Sequence, residues 1–452
     1  MFDFSDIEGK RVTVLGAGRS GLAAARLMAR KGVHAFLSEK APKDERRKEA
    51  EALSEAGIPA EFGGHTDRVF EADGIVVSPG ISESSPLLQE AKQKGIPVAS
   101  ELELASRFCR ARIVAVTGSN GKSTTTALLG EIFKTAGTPC VVAGNIGKPF
   151  SDFVDEIDSD GVAVLEVSSF QLETIRTFHP NVAVFLNLTP DHLDRHGTME
   201  HYGRLKARLF ENQTSEDTLV FNGKDERVFE LSHEAVSRLA AFGVDEVSMD
   251  CGFVRDGFMM LRISGREESL LSVDDMRIRG EHNEANGLAA ALAAVSMGVE
   301  SEPIRVALRT FRGLSHRMEF IRELDGVEWV NDSKATNTDS VWYALGSFQN
   351  PIILIAGGRD KDSDFRVLRE RIRSKTKGVV LLGEAADKME RAFRSLVPLV
   401  RADSLEDAVH KARLMAQSGD VVLLSPSCAS FDMFHDFEDR GDQFKKLVRQ
   451  LR

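Results

Sequence analysis

The chain has 452 residues, of which 42% are hydrophobic and 28% are charged, and its net charge at pH 7 is -11. At about 150 residues per domain, this length predicts three globular domains. The negative charge argues against nucleic acid as the main partner. The four cysteines are scattered and form no Cys-x-x-Cys pair, so neither a disulfide framework nor a zinc site is indicated, and a reducing compartment fits.

The chain carries no targeting or membrane-spanning signal. Its first residues lack the basic start and apolar run of a signal peptide. No apolar stretch approaches the ~18 residues that a membrane-spanning helix needs. We therefore expect a cytoplasmic protein without a membrane span.

The first strand and turn match a dinucleotide-binding fingerprint. An apolar strand at 11–15 runs into the glycine-rich turn 16–21 and a helix at 22–30. The second strand, 33–37, is followed by Glu39, about 20 residues beyond the glycines, as in NAD-binding proteins. The glycines alone indicate only geometry, because they permit a tight turn and close helix packing whatever the ligand.

A further loop, Ser78-Pro79-Gly80, follows an apolar strand at 74–77. Ligands of open α/β sheets lie at the carboxyl ends of the strands, so this loop is a candidate binding segment. An ordinary turn is the alternative.

The segment 112–124 predicts a buried strand that ends in a phosphate-binding loop and a helix start. Gly118 and Gly121 allow the backbone to turn and approach a ligand closely, while Lys122 supplies a positive charge. The Ser123 hydroxyl can reach a metal, and the helix start attracts an anion. The predicted ligand is ATP, although the first glycine stands closer to the lysine than in the usual P-loop. The alternative is a glycine-rich turn beside a chance lysine.

Two later strand ends carry acidic residues. Glu166 ends a buried strand, where a carboxylate in a P-loop protein is usually a magnesium ligand, although a capping or salt-bridged glutamate is the alternative. Asp191-His192 follows the strand at 181–187 and predicts a metal or phosphate site, although a loop histidine is more often structural. Periodicity places Lys206, on a predicted helix at 199–211, in solvent.

The region from 223 to about 280 is the least informative. Alternating runs at 258–263 and 276–279 predict sheet extensions. The alanine-rich helix that follows places Asn283 and Asn286 on one face of its first turn. N-capping explains Asn283, whereas adenine recognition would explain both asparagines.

After a hinge near 311–318 the α/β pattern restarts. Polar clusters at 331–337, 357–362 and 425–432 each follow a predicted strand. Loops at carboxyl strand ends predict a second ligand site. Helix capping is the alternative for each residue.

An ordered set of motifs runs through the whole chain: Thr117–Thr124, Gly144–Gly147, Glu166–Glu173, Asp191-His192, Gly280–Asn283, His316-Arg317 and Asn331–Asn337. In order and spacing, this set resembles the ATP-dependent Mur ligases of peptidoglycan assembly. Within that family, the stretches 16–21 and 425–441 look like those of the members that add D-glutamate to UDP-N-acetylmuramoyl-L-alanine.

The resemblance implies an α/β fold of three domains. The expected domains are a Rossmann-like UDP-substrate domain at 1–105, a central P-loop ATPase domain at 106–313 and a Rossmann-like amino-acid-binding domain at 314–452. The implied activity is ATP-dependent amide bond formation through an acyl phosphate, as a step of cell-wall synthesis and hence of cell shape and division. The implied partners are small molecules only, with Mg²⁺ at two sites, and the chain is expected to be a monomer.

The resemblance also assigns roles to residues. The implied catalytic residues are Lys122, Glu166, His192, Lys206 and Arg317. The implied ATP-binding residues are Gly118, Ser119, Asn120, Gly121, Lys122, Ser123, Thr124, Asn283, Asn286, Arg317 and Asp332. The implied UDP-substrate contacts are Ser20, Gly21, Glu39, Ser78, Gly80, Asn145 and His192. The implied D-glutamate contacts are Thr336, Lys361, Ser430 and Phe437. The implied metal-binding residues are Ser123, Glu166, His192 and Lys206, the last as a carbamate.

Two other activities stay open at this point. An NAD-dependent oxidoreductase would explain the first glycine loop but leaves Lys122 and Glu166 without a role. A ligase like folylpolyglutamate synthase also adds glutamate, yet such enzymes normally lack a separate Rossmann-like N-terminal domain.

Overall fold

The computed structural model of the protein describes residues 7–145, 147–191, 193–245, 247–360 and 362–452. These residues form three β-sheets with flanking helices, which confirms the predicted α/β class. Two compact units can be distinguished. The first comprises residues up to Asp275 together with Ala285–Arg309, and the second comprises Met276–Glu284 and Thr310–Arg452.

The first sheet is entirely parallel, with strand order 3-2-1-4-5. Its strands are β1 Arg11–Leu15, β2 His34–Glu39, β3 Ala60–Phe62, β4 Gly74–Val77 and β5 Val98–Ser100. The accompanying helices are α1 Arg19–Arg30, α2 Arg47–Glu55, α3 Pro86–Gln93 and α4 Glu101–Phe108. The order changes direction beside β1, so the loops after β1 and β4 meet at one edge, where ligands of such sheets bind.

The second sheet also lies in the first unit. Its strands are β6 Arg112–Thr117, β7 Cys140–Gly144, β8 Val162–Glu166, β9 Val182–Phe185, β10 Thr218–Asn222, β11 Arg238–Phe242, β12 Asp250–Arg255, β13 Phe258–Ile263 and β14 Arg266–Ser272. Its helices are α5 Lys122–Thr135, α6 Ser169–Leu172, α7 Leu193–His196, α8 Met199–Ala207, α9 Glu226–Ser232, α10 Glu281–Ser296 and α11 Ser301–Thr310, of which α10 crosses between the two units.

Strand β6 lies between β8 and β9, and all three run parallel. Their carboxyl ends therefore meet, bringing Thr117, Glu166 and Phe185 to the same edge of the sheet. Among the described strands of this sheet, only the β12–β13 and β13–β14 pairings are antiparallel. The strands are apolar throughout their central parts because helices cover both faces of the parallel portion.

The first two sheets share a core. Leu27 of α1 and Leu102 and Ala105 of α4 pack in the same cluster as Ala115 and Phe185 of the second sheet. The junction between the two sheets is therefore held partly by apolar packing.

A buried carboxylate also links the first two sheets. It belongs to Glu103 of α4, whose side chain is 1% exposed. Its oxygens accept hydrogen bonds from the backbone N–H groups of Arg176, Thr177 and Phe178 at 2.9 to 3.1 Å, and from the Thr177 hydroxyl at 2.5 Å. These donors lie in the loop that precedes β9. One side chain on a helix of the first sheet thus provides hydrogen-bond acceptors for the N–H groups of a loop of the second sheet.

The third sheet makes up most of the second unit. Its strands are β15 Glu319–Leu324, β16 Val327–Asn331, β17 Ile352–Gly357, β18 Thr376–Leu382, β19 Leu399–Arg401 and β20 Val421–Leu424. Its helices are α12 Thr338–Gly346, α13 Arg369–Lys375, α14 Ala386–Phe393, α15 Leu405–Met415 and α16 Phe437–Gln450. The strand order is 15-16-20-17-18-19, and among the described pairings only that of β15 with β16 is antiparallel.

Apolar clusters cover both faces of this sheet. Strand β20 lies between β16 and β17, so the loops that follow these strands come together. They are the polar segments 331–337, 357–362 and 425–432, which the sequence predicts as a second site.

Three local expectations are wrong. Residues 276–279 form no strand, because β14 already ends the sheet before them. Asn283 lies inside α10, which begins at Glu281, so it is not the N-cap of that helix. The helix predicted at 199–211 ends at Ala207 and continues as a short 3₁₀ turn.

In the part of the chain that the structure describes, none of the helices has the length and apolar character required to cross a bilayer.

Replacing Glu103 by glutamine should destabilise the first unit. The amide nitrogen would face N–H donors, and the charge that accepts several hydrogen bonds would be lost. We expect the free energy of unfolding to fall by about 3 kcal/mol, a decrease of about 6 °C or more in the unfolding temperature. Differential scanning calorimetry measures this.

A matched control is Glu90→Gln on α3. Glu90 pairs with Lys94 at 3.4 Å on the surface, and both side chains are about half exposed. Its replacement should change the free energy of unfolding by less than about 0.5 kcal/mol. Equal effects of the two substitutions would contradict the role of Glu103.

Candidate functional site

The segment after β6 forms a tight phosphate-type loop at the start of α5. Gly118 and Gly121 have φ angles of 149° and 85°, which residues with a Cβ atom rarely adopt. A Cβ atom on Gly118 would lie 3.0 Å from Leu186 Cβ, and one on Gly121 would lie 2.4 Å from Asn286 Oδ1. Both glycines are therefore required by conformation and by space. The strand, loop and helix predicted from the sequence are present.

A second segment, which follows β9, fastens this loop. Ser119 N donates to Asn187 O at 3.0 Å, and Asn120 N donates to Asn187 Oδ1 at 2.8 Å. The Ser119 hydroxyl donates to Thr189 O at 2.9 Å and accepts from Thr189 N at 3.0 Å. The loop is thus preorganised by protein contacts alone, so its shape does not wait for a ligand.

Two lysines point at this loop. Lys122 Nζ donates to Gly118 O and to Ser119 O, each at 2.8 Å. Lys206 Nζ, on α8, also donates to Gly118 O at 2.8 Å, and it lies 4.7 Å from the ring centroid of Tyr202. Two lysine amino groups therefore converge on one carbonyl oxygen, that of Gly118.

Lys206 is 1% exposed, so its predicted position in solvent is wrong. Burial lowers the pKa of its amine well below the usual range, and the nearby ammonium of Lys122 lowers it further. The carboxylates of Asp191 and Glu166 act in the opposite direction. The amine of Lys206 therefore loses its proton at a lower pH than the amine of a surface lysine.

Glu166 ends β8 and is buried. Its Oε1 accepts a hydrogen bond from Asn145 Nδ2 at 2.8 Å, and its carbonyl oxygen accepts one from Asn145 N at 2.8 Å. Ser168, and not Glu166, caps the following helix, which removes the capping alternative. Ser123 and Thr124, in the first turn of α5, are buried as well.

Asp191 lies in the loop after β9, close enough to Lys206 to affect its pKa. His192, predicted as a catalytic, metal-binding and substrate-binding residue, lies outside the described residues. Among the residues that are described, no three His, Cys, Asp or Glu side chains form a cluster able to hold a metal ion.

Asn286, predicted to face adenine, is buried on α10 beside the phosphate loop. Its Oδ1 accepts a hydrogen bond from the Thr125 hydroxyl at 3.3 Å and lies against Gly121. The side chain therefore packs the start of α5 against α10. Asn283, in the second unit, donates from Nδ2 to Arg279 O at 2.8 Å.

The loops after β1 and β4 meet, as the topology requires. Gly16 has a φ angle of 91°, and a Cβ atom there would lie 2.9 Å from Ser78 Oγ. A Cβ on Gly21 would lie 2.0 Å from Gly16 O, so α1 can approach the turn only with glycine at that position. Ser20 is half-buried at the start of α1, and Gly80 is exposed.

Glu39 stabilises the glycine turn through hydrogen bonds to its backbone. Its Oε2 accepts a hydrogen bond from Ala17 N at 2.6 Å, and its Oε1 accepts one from Ala41 N at 2.8 Å. Burial opposes ionisation of this carboxyl group, but the two N–H donors and the charges of Arg46 and His65 outweigh it, so its pKa is lowered. Glu39 therefore stays ionised as an anchor of the turn.

In the second unit, Asp332 follows β16 and is 4% exposed. Its Oδ2 accepts a hydrogen bond from Ser425 Oγ at 2.8 Å, and its Oδ1 accepts one from Met318 N at 3.2 Å. Burial raises its pKa to about 7, although these donors and the positive charge of Arg317 oppose the rise. Asp332 is thus a carboxyl group that titrates near neutral pH.

Arg317 lies in the segment before β15, and its buried Nε has no hydrogen-bond partner among the described residues. Burial lowers the pKa of His282 to about 4, and the positive charge of Arg317 contributes to this lowering. A buried guanidinium donor without a partner is costly, and an anionic ligand would satisfy it.

The residues predicted to contact D-glutamate lie in the loops at the carboxyl edge of the third sheet. Thr336 is half-buried after β16, Ser430 is buried after β20, and Phe437 begins α16. Phe437 O accepts a hydrogen bond from Ser333 Oγ at 2.8 Å, which links α16 to the loop after β16. Lys361 lies outside the described residues.

Arg440 of α16 is a residue that sequence reasoning missed. It is 2% exposed and donates to Ser333 Oγ at 2.9 Å, to Ser333 O at 2.7 Å and to Cys428 O at 3.2 and 3.3 Å. Burial lowers its pKa to about 10. The sequence feature that could have revealed its burial is its spacing, because Arg440 lies on the same apolar face of α16 as Phe444 and Val448.

The fold and these loops define a nucleotide-binding α/β protein with a phosphate loop. Three family models match successive parts of the chain. They are the Mur ligase MurD-like, N-terminal domain at residues 10–100, the Mur ligase middle domain at 116–294, and the Mur ligase, glutamate ligase domain at 316–428.

Full-length relatives agree with these matches. The UDP-N-acetylmuramoylalanine–D-glutamate ligase of Salinibacter ruber is 47% identical over 458 residues, which cover 99% of each chain. The ligase of the same name from Pelotomaculum thermopropionicum is 45% identical over 450 residues, again covering 99% of each chain. The chain therefore belongs to the Mur ligase family, which confirms the family predicted from the ordered motifs.

A solved structure shows the same fold at low identity. The UDP-N-acetylmuramate-alanine ligase of Thermotoga maritima has a TM-score of 0.61 and 18% sequence identity, with coverage of 97% of this chain and 99% of that chain.

Asp332 should make the stability of the second unit depend on pH. Its pKa is about 7 in the folded protein, against about 3.9 for an unfolded aspartate, so between these values only the folded state keeps the proton. The contribution of Asp332 to the free energy of unfolding is therefore at its maximum below about pH 4. It decreases by about 1.4 kcal/mol per pH unit as the pH rises towards 7. Asp332→Asn should remove this slope and gain stability relative to the wild type as pH rises.

Urea denaturation at several pH values between 4 and 7 tests this. The low pKa of His282 acts in the opposite direction below pH 6.5, so the comparison is between variant and wild type at each pH. Asp364→Asn is the control, because Arg366 holds the pKa of Asp364 at about 2 in the folded protein, so this group is ionised in both the folded and the unfolded state above about pH 5. Parallel profiles for Asp332→Asn and the wild type would contradict the prediction.

Proposed function

We propose that this protein is an ATP-dependent ligase that adds D-glutamate to UDP-N-acetylmuramoyl-L-alanine in the cytoplasmic synthesis of peptidoglycan precursors. The observation that carries this proposal is the 47% identity, over 99% of both chains, to a UDP-N-acetylmuramoylalanine–D-glutamate ligase. The preorganised phosphate loop with Lys122 supports the use of ATP.

The reaction requires activation because a carboxylate is a poor electrophile. The L-alanyl carboxylate of the substrate attacks the γ-phosphorus of ATP, which forms an acyl phosphate and releases ADP. The amine of D-glutamate then attacks the acyl carbon, inorganic phosphate leaves, and an amide bond forms as the amine loses a proton. In the first step two anions must approach each other, so positive groups are needed around both.

The phosphate loop and Lys122 supply that positive environment. The N–H groups at the start of α5 are directed at a bound anion, and the Lys122 ammonium can exchange its two carbonyl acceptors for phosphate oxygens. Arg317, with its unpartnered buried Nε, is proposed to bind phosphate as well.

The residues near the loop fit Mg²⁺, which prefers oxygen ligands. The buried Ser123 hydroxyl and the buried Glu166 carboxylate are the proposed ligands at one site, and His192 and Lys206 at a second. Bound magnesium would offset the negative charge of the phosphates. The Asn145 side chain, which donates to Glu166, would orient this carboxylate and also lie near the substrate.

Lys206 can serve as an oxygen ligand only if its amine is modified. An ammonium cannot react with CO₂, whereas a neutral amine can, and burial lowers the pKa of this amine. We propose that Lys206 carries a carbamate, whose oxygens would bind metal. The modification would also place a negative charge beside Lys122, whose Nζ donates to the same carbonyl oxygen as Lys206 Nζ.

The first sheet is proposed to hold the UDP part of the substrate. Ser20, Gly21 and the Ser78–Gly80 loop lie at the edge where the glycine turn leaves space for a ligand close to the backbone. Glu39 is proposed to act through the turn that it anchors, with uridine contacts from its neighbourhood. The third sheet is proposed to bind D-glutamate through Thr336, Lys361, Ser430 and Phe437.

The nucleoside of ATP is proposed to contact α10 and the loop after β16. Asn283 and Asn286 would face adenine, and Asp332 would accept hydrogen bonds from ribose hydroxyls. We propose that the protein acts as a monomer.

The carbamate can be tested directly. With ¹³C-bicarbonate, the wild type should give a carbamate signal in the NMR spectrum that Lys206→Ala lacks, and activity of this variant should fall about 100-fold. Lys134→Ala is the control, because Lys134 is exposed at the end of α5 and should leave both the signal and the activity unchanged. A variant Lys206→Ala with full activity would refute the role of the carbamate.

The activity test is phosphate release from ATP in the presence of UDP-N-acetylmuramoyl-L-alanine, with D-glutamate, L-glutamate, lysine or diaminopimelate as acceptor. We expect release only with D-glutamate, together with an amide product detected by mass spectrometry. Release with another acceptor would keep the ligase chemistry and refute the acceptor. Tight NAD binding without release would favour an oxidoreductase.

A further inference from the structure

Arg195 joins two loops that belong to different sheets. It lies on α7, four residues beyond Asp191, in the segment that follows β9 of the second sheet. Its Nη1 donates to Pro79 O at 2.9 Å, and its Nη2 donates to Ile81 O at 3.3 Å. These two carbonyl groups flank Gly80 in the loop after β4 of the first sheet.

The same guanidinium is held on its other side by α6 and the residue that follows it. Its Nε and Nη2 donate to the two carboxylate oxygens of Glu173 at 3.0 and 2.7 Å. The guanidinium carbon lies 4.2 Å from the ring centroid of Phe170. The Arg195 side chain is 17% exposed and that of Glu173 is 9% exposed, so the pair is largely desolvated. A bidentate, stacked arginine of this kind has one orientation.

The next residue strengthens this attachment. His196 Nε2 lies 3.0 Å from the Ser169 hydroxyl, and its ring stacks on those of Phe170 and Tyr202 at 5.2 and 5.1 Å. Arg195 and His196 are therefore both attached to α6, the helix that follows Glu166. Arg195 extends this fixed segment to the first sheet.

We propose that Arg195 is a positioning residue that sets the distance between the 78–81 loop and the phosphate loop. The inference rests on the proposed function, in which one substrate keeps its UDP part at the first sheet while its carboxylate reaches ATP at the second. A displacement of about 1 Å at a reacting group costs about 100-fold in rate. The distance between the two sheets' loops is therefore a property that the enzyme must control.

Lysine cannot replace this arginine. A lysine ammonium is a point charge without the planar fork, so it cannot bind both oxygens of Glu173 and two carbonyl groups together. Arg195→Lys keeps the charge and removes the connection. The matched control is Arg208→Lys, because Arg208 donates to Leu172 O, Glu173 O and Ile175 O, all within the second sheet's own segments.

The kinetic test uses the full chain with UDP-N-acetylmuramoyl-L-alanine, ATP and D-glutamate. For Arg195→Lys we expect kcat/KM for the nucleotide sugar to fall about tenfold or more, with KM for that substrate raised and KM for ATP within about twofold of the wild type. Arg208→Lys should lower the unfolding temperature without this selective change in KM. A purely structural role of Arg195 would give the two variants the same kinetic pattern and would overturn the inference.

Hydrogen–deuterium exchange of the same two variants gives a readout that is independent of turnover. The peptide containing residues 78–85 should exchange faster in Arg195→Lys than in the wild type. In Arg208→Lys its exchange rate should equal that of the wild type. Unchanged exchange in Arg195→Lys would overturn the inference even if activity fell. A wild-type protein without D-glutamate-dependent phosphate release would instead refute the proposed function, and the positioning role with it.

Discussion

The hydrogen bonds between the phosphate loop and the segment 187–189 are the contacts on which the rest of the site depends. They form because β6 lies between β8 and β9 in a parallel sheet, so that the three carboxyl ends meet. With Ser119 and Asn120 held by Asn187 and Thr189, the carbonyl of Gly118 is fixed where two lysines can reach it. The lysine of α8 is buried as a consequence, and its changed pKa follows from that position.

Both units contain ionisable side chains that are buried away from water. Lys206, Asp332 and Arg440 are almost fully buried, and in each the pKa is shifted towards the neutral form. Such groups contribute little to stability, because the cost of removing a charge from water exceeds most of what its contacts return. They are frequent at functional sites, where a shifted pKa or a fixed dipole has a use. Here each lies in or beside a loop at the carboxyl end of a parallel strand.

The parts of the structure that could be predicted from sequence are those that local pattern determines. The strand, glycine loop and helix at 112–124 are a local pattern, and so is the alternation of strands and helices that gave the fold class. The burial of Lys206 could not be predicted, because its helix presents the lysine to a loop 88 residues earlier in the chain. Arg195 and Arg440 were missed for the same reason: each donates to backbone carbonyl groups of a loop far away in the chain, and such contacts leave no trace in the side-chain pattern.

The first glycine turn shows why a fingerprint defines geometry more than ligand. Gly16 and Gly21 are glycines because Ser78 and the Gly16 carbonyl occupy the space of a side chain, and this holds for any ligand of the turn. The acidic residue at the end of β2, which in NAD-binding proteins accepts hydrogen bonds from ribose, here accepts the N–H groups of Ala17 and Ala41. An interaction that a cofactor would otherwise make has become internal to the protein. The same backbone turn is thereby available to a different nucleotide, and its specificity must come from residues outside the fingerprint.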